Sequence, residues 1–324
     1  MAEKLRRIGV LTSGGDAPGM NAAIRAVVRT CALNDVIAVG IHRGYNGLIH
    51  SDVVEMDERA VNGLSGRGGT ILYTARCEEF RTPEGVKRAA DACRYLGIGG
   101  LIGIGGDGTF RGLRELARAG VRTVGIPGTI DNDIGCSHYS IGFDTAANTA
   151  IEAIDRLSDT MQSHERTSVV EIMGNNAGHL AVYVGLSVGA TAILIPEHPF
   201  DFEQDVAEHI RENRYRGKHH HIVIVAEGVG HTNEIAERLR TDMGLETRVT
   251  IIGHIQRGGS PSARDRVMAS RMGHRAVEAL LAGESSAVVC YRDSHICVLP
   301  IEEALEMQKT LDPYMYRVAQ EISI

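Results

Sequence analysis

Short apolar runs, each closed by glycine or a polar turn and followed by residues at helical spacing, recur along this chain. Ile8–Thr12 predicts a buried strand. The loop Ser13–Gly19 follows, then a helix over Asn21–Leu33 whose Ala23, Ile24, Val27, Val28 and Cys31 share one face. Val36–Ile41 predicts a second strand. Thr82, Pro83 and Glu84 supply a cap, a proline at the first helical position and a first-turn acid for a helix ending at Leu96. Leu101–Ile104 predicts a strand, and the next helix runs to Ala119, closed by Gly120. Val121–Ile126 predicts a strand that should end at a Pro127-Gly128 bend. A long helix is predicted over Gly142–Met161. Strands at Ser168–Met173, Thr191–Ile195, His221–Ala226 and Arg248–Ile252 then alternate with helices at Ala177–Val188, Gln204–Tyr215 and Thr232–Met243. Helix Ala263–Leu281 and strand Ala287–Tyr291 are expected to rejoin the first domain. The alternation predicts an α/β protein of two doubly wound domains with mostly parallel sheets. The expected bounds are 1–141 plus about 256–300, and 142–255 plus about 301–324.

Composition narrows the partners. At 324 residues, 43 % of them hydrophobic, the chain can bury a sizeable core, and with no Trp that core must be aliphatic. A net charge of −7 argues against a general binder of nucleic acid or anionic membrane, so an anionic ligand must be held by local arginines. The six cysteines (31, 77, 93, 136, 290, 297) show neither CxxC nor zinc spacing and read as reduced, mostly buried thiols. With no apolar stretch of membrane-spanning length and no signal peptide, a soluble intracellular protein is expected.

Candidate chemistry gathers at the predicted strand ends. Pro127–Asp133 brings Thr129, Asn132 and two carboxylates, Asp131 and Asp133, to one such end. Paired carboxylates fit a metal, a cationic group or a shared proton, and equally a polar turn with Asx hydrogen bonds. In Gly105-Gly106-Asp107-Gly108-Thr109 the glycines would let a polyphosphate lie against the main chain at a helix N-terminus, and Asp107 could hold Mg²⁺; a β–α turn with an aspartate cap is the alternative. Ser13–Gly19 has the same strand–loop–helix setting without a GK[ST] continuation, so a plain tight turn also accounts for it. Arg76, Arg166, Arg248 and Arg257 sit at predicted loops or strand ends, where a guanidinium suits phosphate and solvent alike. The run His219-His220-His221 reads as a solvated strand entrance or a metal site.

Four blocks in order, Leu11–Ala22, Gly105–Thr109, Pro127–Asp133 and Gly253–Pro261, make the chain resemble the bacterial ATP-dependent 6-phosphofructokinases from about Ile8 to about Gly283. The resemblance implies a donor domain and a sugar-phosphate domain with the active site in the cleft between them. It implies Asp131 as general base toward the fructose 6-phosphate 1-hydroxyl, helped by Thr129, Asp133 and Arg76. Asp107 and Asp133 would hold Mg²⁺, and Gly15, Tyr45, Arg76, Cys77, Gly106, Asp107, Gly108 and Thr109 would line the ATP site. Thr129, Ile130, Asp131, Met173, Gly174, Asn175, Glu227, His254, Ile255, Gln256 and Arg257 would meet the sugar phosphate. Arg166 and Arg248 match positions that reach a neighbouring subunit's site, which implies a homotetramer. Arg25, Arg29 and Lys218 match a nucleotide diphosphate or phosphoenolpyruvate effector pocket. The chain departs from the family at Asn175, where arginine is usual, and at Ser158 and Thr191, where arginine and a metal-binding glutamate are usual. These changes imply weakened turnover and an altered effector response.

Rival readings are a pyrophosphate-dependent relative, a kinase carrying GGDGT for another acceptor (as NAD kinases and lipid kinases do), and a non-catalytic sensor. Pyrophosphate-dependent relatives usually carry Asp at position 108 and Lys at 128; here both are Gly, expected to leave room for the longer donor. The other two blocks argue against a different acceptor, and the retained Asp107, Asp131 and Asp133 argue against a sensor.

Overall fold

The structure, a computed structural model, describes residues 5–323. They form two compact units: one of residues 5–130, 134–145 and 257–309, the other of 131–133, 146–256 and 310–323. Residues 142–145 and 301–309 thus belong with the first unit, and the carboxylate turn 131–133 with the second.

The first unit begins with strand β1 (Arg7–Thr12), helix α1 (Met20–Leu33), β2 (Ile37–Ile41), α2 (Gly44–Ile49), β3 (Val53–Met56) and α3 (Pro83–Tyr95). It continues with β4 (Gly100–Gly105), α4 (Asp107–Arg118), β5 (Arg122–Thr129), β6 (Ile141–Gly142) and the start of α5 (Phe143–Ser163). In the second unit β7 (Thr167–Ile172), α6 (His179–Ser187), β8 (Ala192–Leu194), α7 (Glu208–Tyr215), β9 (His221–Ala226), α8 (Thr232–Thr241) and β10 (Thr247–Ile251) follow. The chain returns to the first unit with α9 (Ala263–Leu281), β11 (Ala287–Arg292), β12 (His295–Pro300) and α10 (Ile301–Glu306), and α11 (Pro313–Glu321) closes the second.

The larger sheet runs β12-β11-β5-β4-β1-β2-β3, with β6 beside β5. Its pairings are parallel except β2–β3 and β11–β12. The inner strands are covered on both faces, which is why β4 and β5 are almost wholly buried and read as continuous apolar runs. Leu11, Ile41, Leu101, Phe110, Leu113 and Val288 share one hydrophobic core. Phe110 lies so close to β5 that a Cβ on Gly125 would stand 2.7 Å from its ring, so only glycine admits this buried aromatic. Burial of such a side chain contributes about 1.5–3 kcal/mol. Thr82 caps α3 as predicted, its Oγ1 accepting the Gly85 N–H at 3.1 Å.

The second unit has a four-stranded parallel sheet, β10-β7-β9-β8. Val169, Leu194, Val223 and Val225 on one face pack with Phe202, Ile210, Ile235 and Leu239. The predicted helix over Gln204–Tyr215 begins with a π turn, Glu203–Ala207, before regular α geometry sets in at Glu208.

Two expectations are overturned here. Pro127-Gly128 is no bend: β5 continues through Thr129 because Pro127 lies opposite Gly105 at the last rung of the β4 ladder, while Gly128 and Thr129 pair with β6. The histidine run is not uniformly solvated either. His221 has no exposed surface, and desolvation, with Lys218 and the neighbouring cations adding to it, lowers its pKa from 6.5 to about 4.

Candidate active site

Donor chemistry would fall on the first unit, where the carboxyl ends of β1, β4 and β5 lie side by side. Asp107 is the first residue of α4, at the helix end whose free N–H groups and dipole favour anions. No atom stands within 4 Å of a Cβ built on Gly106 or Gly108, so bare main chain and open space flank this carboxylate. The next residue, Thr109, is buried and ties the loops together: its Oγ1 donates to the Ser13 carbonyl at 3.1 Å, and its own carbonyl accepts from Tyr45 Oη at 2.5 Å. Tyr45 is itself buried, its ring stacked on Phe80 at 4.0 Å between centroids, and desolvation pushes its hydroxyl far up, which keeps it a neutral donor. Of the expected ATP residues, Tyr45 therefore holds α4 from below, whereas Gly15, Arg76 and Gly108 are exposed and Cys77 half-buried.

Gly128 departs from expectation. It is buried, and a Cβ there would meet the Ile104 Cγ2 at 3.1 Å and the Met20 Cε at 3.4 Å. Its smallness serves packing under the strand end, in contrast to the open space at Gly108.

The end of β5 is held twice. Gly128 and Thr129 pair with Ile141 and Gly142 of β6, and Ser140 Oγ donates to the Thr129 carbonyl at 2.7 Å. Beyond the buried Ile130, Asp131 is 8 % exposed and Asp133 partly exposed. Between them Asn132 has φ 51°, the left-handed region that asparagine enters more readily than most residues. Among the described residues no group of three or more His, Cys, Asp or Glu is gathered for a metal ion. A structural zinc or calcium cage does not fit. Mg²⁺ does, because it is commonly held by one or two carboxylates with substrate phosphates completing its shell.

Arg257, expected at the sugar phosphate, belongs to the first unit. Its Nη1 donates to the Asp16 carbonyl at 3.4 Å, and the guanidinium lies over Gly15 where a Cβ would collide with it. The structure thus brings together Gly15 and Arg257, two residues assigned to different ligands.

In the second unit the expected acceptor residues meet at the carboxyl ends of β7 and β9. Glu227 Oε1 accepts the Gly174 N–H at 3.1 Å and the Asn175 N–H at 2.6 Å. Asn175 is exposed at φ 55°, and its carbonyl would stand 2.5 Å from a Cβ on Gly228. Gln256 has no exposed surface; its Oε1 accepts the Met173 N–H at 3.0 Å, so it shapes the strand end rather than facing a ligand. His254 and Ile255 beside it are exposed.

Arg166 and Arg248 do not join them. Both lie at the opposite, amino end of the sheet, where Arg248 pairs in register with Ser168, and both ion-pair with Glu246 at 2.8 Å. The hydrogen bond from Arg166 holds the Glu246 carboxyl below its ordinary range. A strand of six residues spans roughly 20 Å, so these arginines cannot reach Glu227 of their own chain. Of the expected effector residues, Arg25 is half-buried on α1, and Arg29 there donates to Asn62 Oδ1 at 3.0 Å. Lys218 lies in the second unit, its pKa lowered by burial. Thr191 is fully buried, and among the described residues its Oγ1 finds no hydrogen-bond partner.

Gln256, expected at the substrate, is buried, and so is the carboxylate of Asp265 in α9. A Ser262-x-x-Asp265 spacing reads as a helix-capping pair, which conceals any further use of the carboxylate.

Residues 7–280 match the family model described as Phosphofructokinase. The ATP-dependent 6-phosphofructokinase of Clostridium tetani is 52 % identical over 98 % of this chain and 100 % of its own length. Among solved structures, phosphofructokinase from Saccharomyces cerevisiae superposes with a TM-score of 0.87 at 34 % identity, covering 93 % of this chain and 45 % of that one. A pyrophosphate-dependent phosphofructokinase from Marinobacter aquaeolei gives 0.87 at 21 % identity, over 99 % of this chain and 92 % of that one, a likeness of fold alone.

Proposed function

The chain belongs to the phosphofructokinase family, and we propose that Asp131 is the general base of its reaction. That reaction is transfer of the γ-phosphoryl group of ATP to the 1-hydroxyl of fructose 6-phosphate, giving fructose 1,6-bisphosphate and ADP, a step of glycolysis. The observation that carries the assignment is the doubly held end of β5, which delivers Thr129 and then Asp131 at a fixed turn. A carboxylate placed this way can take the hydroxyl proton as the new bond forms. Phosphoryl transfer otherwise needs positioning and charge neutralisation. Asp107 and Asp133 would hold Mg²⁺, which when bound neutralises charge on the ATP phosphates. The bare backbone of Gly106 and Gly108 gives the phosphates room beside Asp107. Arg257, braced over the Gly15 loop, supplies a guanidinium to the sugar phosphate. Glu227 holds the Gly174–Asn175 turn, with Met173 and His254 beside it, for the sugar.

Arg166 and Arg248 serve the site of a second copy of the chain, in a homotetramer. Their place at the amino end of the smaller sheet, remote from Glu227, supports this reading. Arg25 and Arg29 on the first unit, and separately Lys218 on the second, would each offer a cation to a nucleotide diphosphate or phosphoenolpyruvate effector, with a response weakened by Ser158 and by the buried Thr191. No described helix is long and apolar enough to cross a membrane. A coupled assay with fructose 6-phosphate and Mg²⁺, run with ATP and with pyrophosphate, tests the donor assignment. Turnover with ATP alone is expected, and turnover with pyrophosphate alone would overturn it.

A further inference from the structure

Asp265, in the first turn of α9, has no exposed surface. Ser262 Oγ accepts its N–H at 3.2 Å, as a helix cap should, but the carboxylate turns elsewhere. Its Oδ1 accepts from Tyr139 Oη at 2.5 Å and from the Gly142 N–H at 2.7 Å. Its Oδ2 accepts from the Thr145 N–H at 2.9 Å and from Thr145 Oγ1 at 2.5 Å. Two of these partners are backbone N–H groups, which can only donate, so the site is built for an acceptor on both oxygens. Burying this carboxyl carries a desolvation cost that pushes its pKa above the ordinary range, and capping alone would not require it.

The network leads to two places. Gly142, held by Oδ1, is the β6 residue that pairs with Thr129, and Ser140 beside it donates to the Thr129 carbonyl. Asp131 follows two residues later. On the other side, Thr145 Oγ1 accepts the Ser262 N–H at 2.9 Å, and Ser262 Oγ donates to Asp144 Oδ2 at 2.6 Å. Ser262 ends the loop that starts at Arg257. One carboxylate therefore sets the register between the terminus of β5 and the root of the Arg257 loop. We propose that Asp265 is a positioning residue for the acceptor side of the reaction, holding the β5 terminus and the Arg257 loop in the geometry that phosphoryl transfer requires. This rests on the roles given above to Asp131 and Arg257.

Asp265→Asn keeps the shape but turns an NH₂ toward donors. Displacement of about 1 Å at a reacting group is enough for about a 100-fold loss. The expected result is a folded enzyme with kcat/KM for fructose 6-phosphate down about 100-fold, through both kcat and KM, and KM for ATP within about twofold of wild type. The Gly105–Thr109 loop lies outside the network, and for that reason ATP binding is spared. Thr145→Val should lose about tenfold, and Thr145→Ser, which keeps the hydroxyl, should stay within about twofold. Wild-type kinetics in folded Asp265→Asn would overturn the proposal, as would equal rises in KM for ATP and fructose 6-phosphate. If Asp265→Asn fails to fold, the Thr145 pair decides: equal kinetics for Val and Ser would overturn it. Asp131→Asn assayed alongside separates the two ideas, because an active Asp131→Asn enzyme faults the base assignment whatever Asp265→Asn does.

Discussion

Replacing Gly108 by aspartate should leave the protein folded and strip it of ATP. Gly108 is exposed in the first turn of α4, its φ lies outside the left-handed region, and a Cβ there meets no atom within 4 Å. Nothing in the fold opposes a side chain. Exchanging glycine for aspartate gains a few tenths of a kcal/mol of helix propensity, and an acid in the first turn adds about 0.3–1 kcal/mol through the dipole. Repulsion from the neighbouring Asp107 offsets these gains, so the variant should be about as stable as wild type. Its carboxylate would share the donor space beside Asp107. That carboxylate and an ATP phosphate about 5 Å apart, at an effective dielectric of about 20, repel by about 3 kcal/mol, or about two orders of magnitude in kcat/KM. The assay pairs a coupled measurement of kcat/KM for ATP with a thermal melt. A melting temperature equal to wild type together with about a 100-fold loss is expected. Unchanged ATP kinetics would refute the reasoning, and a large fall in melting temperature would refute its claim that the space at Gly108 is open.

Three other substitutions probe separate contacts. Gly15→Ala should push Arg257 aside, since its methyl would occupy the place of the guanidinium while the backbone tolerates alanine; KM for fructose 6-phosphate should rise about tenfold with melting unchanged, and an unchanged KM would separate Arg257 from the sugar phosphate. Asn175→Arg restores the family's charge, a contact of about 1.5–3 kcal/mol, against about 1 kcal/mol for placing arginine at φ 55°. The charge outweighs the strain, so kcat/KM should rise while melting temperature falls, and no kinetic gain would contradict this. His221 is held neutral in the fold with a pKa of about 4 against 6.5, so its stabilising contribution is complete above pH 6.5 and is lost as pH falls toward 4. That loss, about 2 kcal/mol between pH 7 and pH 5, should be absent from His221→Leu in urea unfolding at the two pH values, and equal pH dependence in both proteins would contradict it.

Much of this was legible because local physics governed it. The helix Ala263–Leu281 and the strand His221–Ala226 have the bounds their apolar periodicity predicts, and Thr82 caps α3 as its spacing requires. Elements that depend on distant partners were not. Pro127-Gly128 reads as a bend until β6, thirteen residues on, is seen to extend the strand. The edge strands β3 and β12 lack the continuous burial of inner strands, and α2 carries two glycines, so none has a clear pattern. Candidate ligand residues stand out in the sequence where glycine and carboxylate cluster along the chain. Gln256 and Asp265 act on partners 83 and about 120 residues away, and no local spacing announces them. The burial of His221 is likewise set by the fold: the residues before it, Lys218, His219 and His220, are all polar.

The most direct test of the central claim is kcat of Asp131→Asn with saturating Mg²⁺, ATP and fructose 6-phosphate, with sugar-phosphate binding measured in the same preparation. An amide keeps the shape and cannot take the proton. Removal of a positioned base costs typically about 10²–10⁴-fold, so kcat should fall by at least about 100-fold with binding retained. A kcat within about tenfold of wild type would contradict Asp131 as the base.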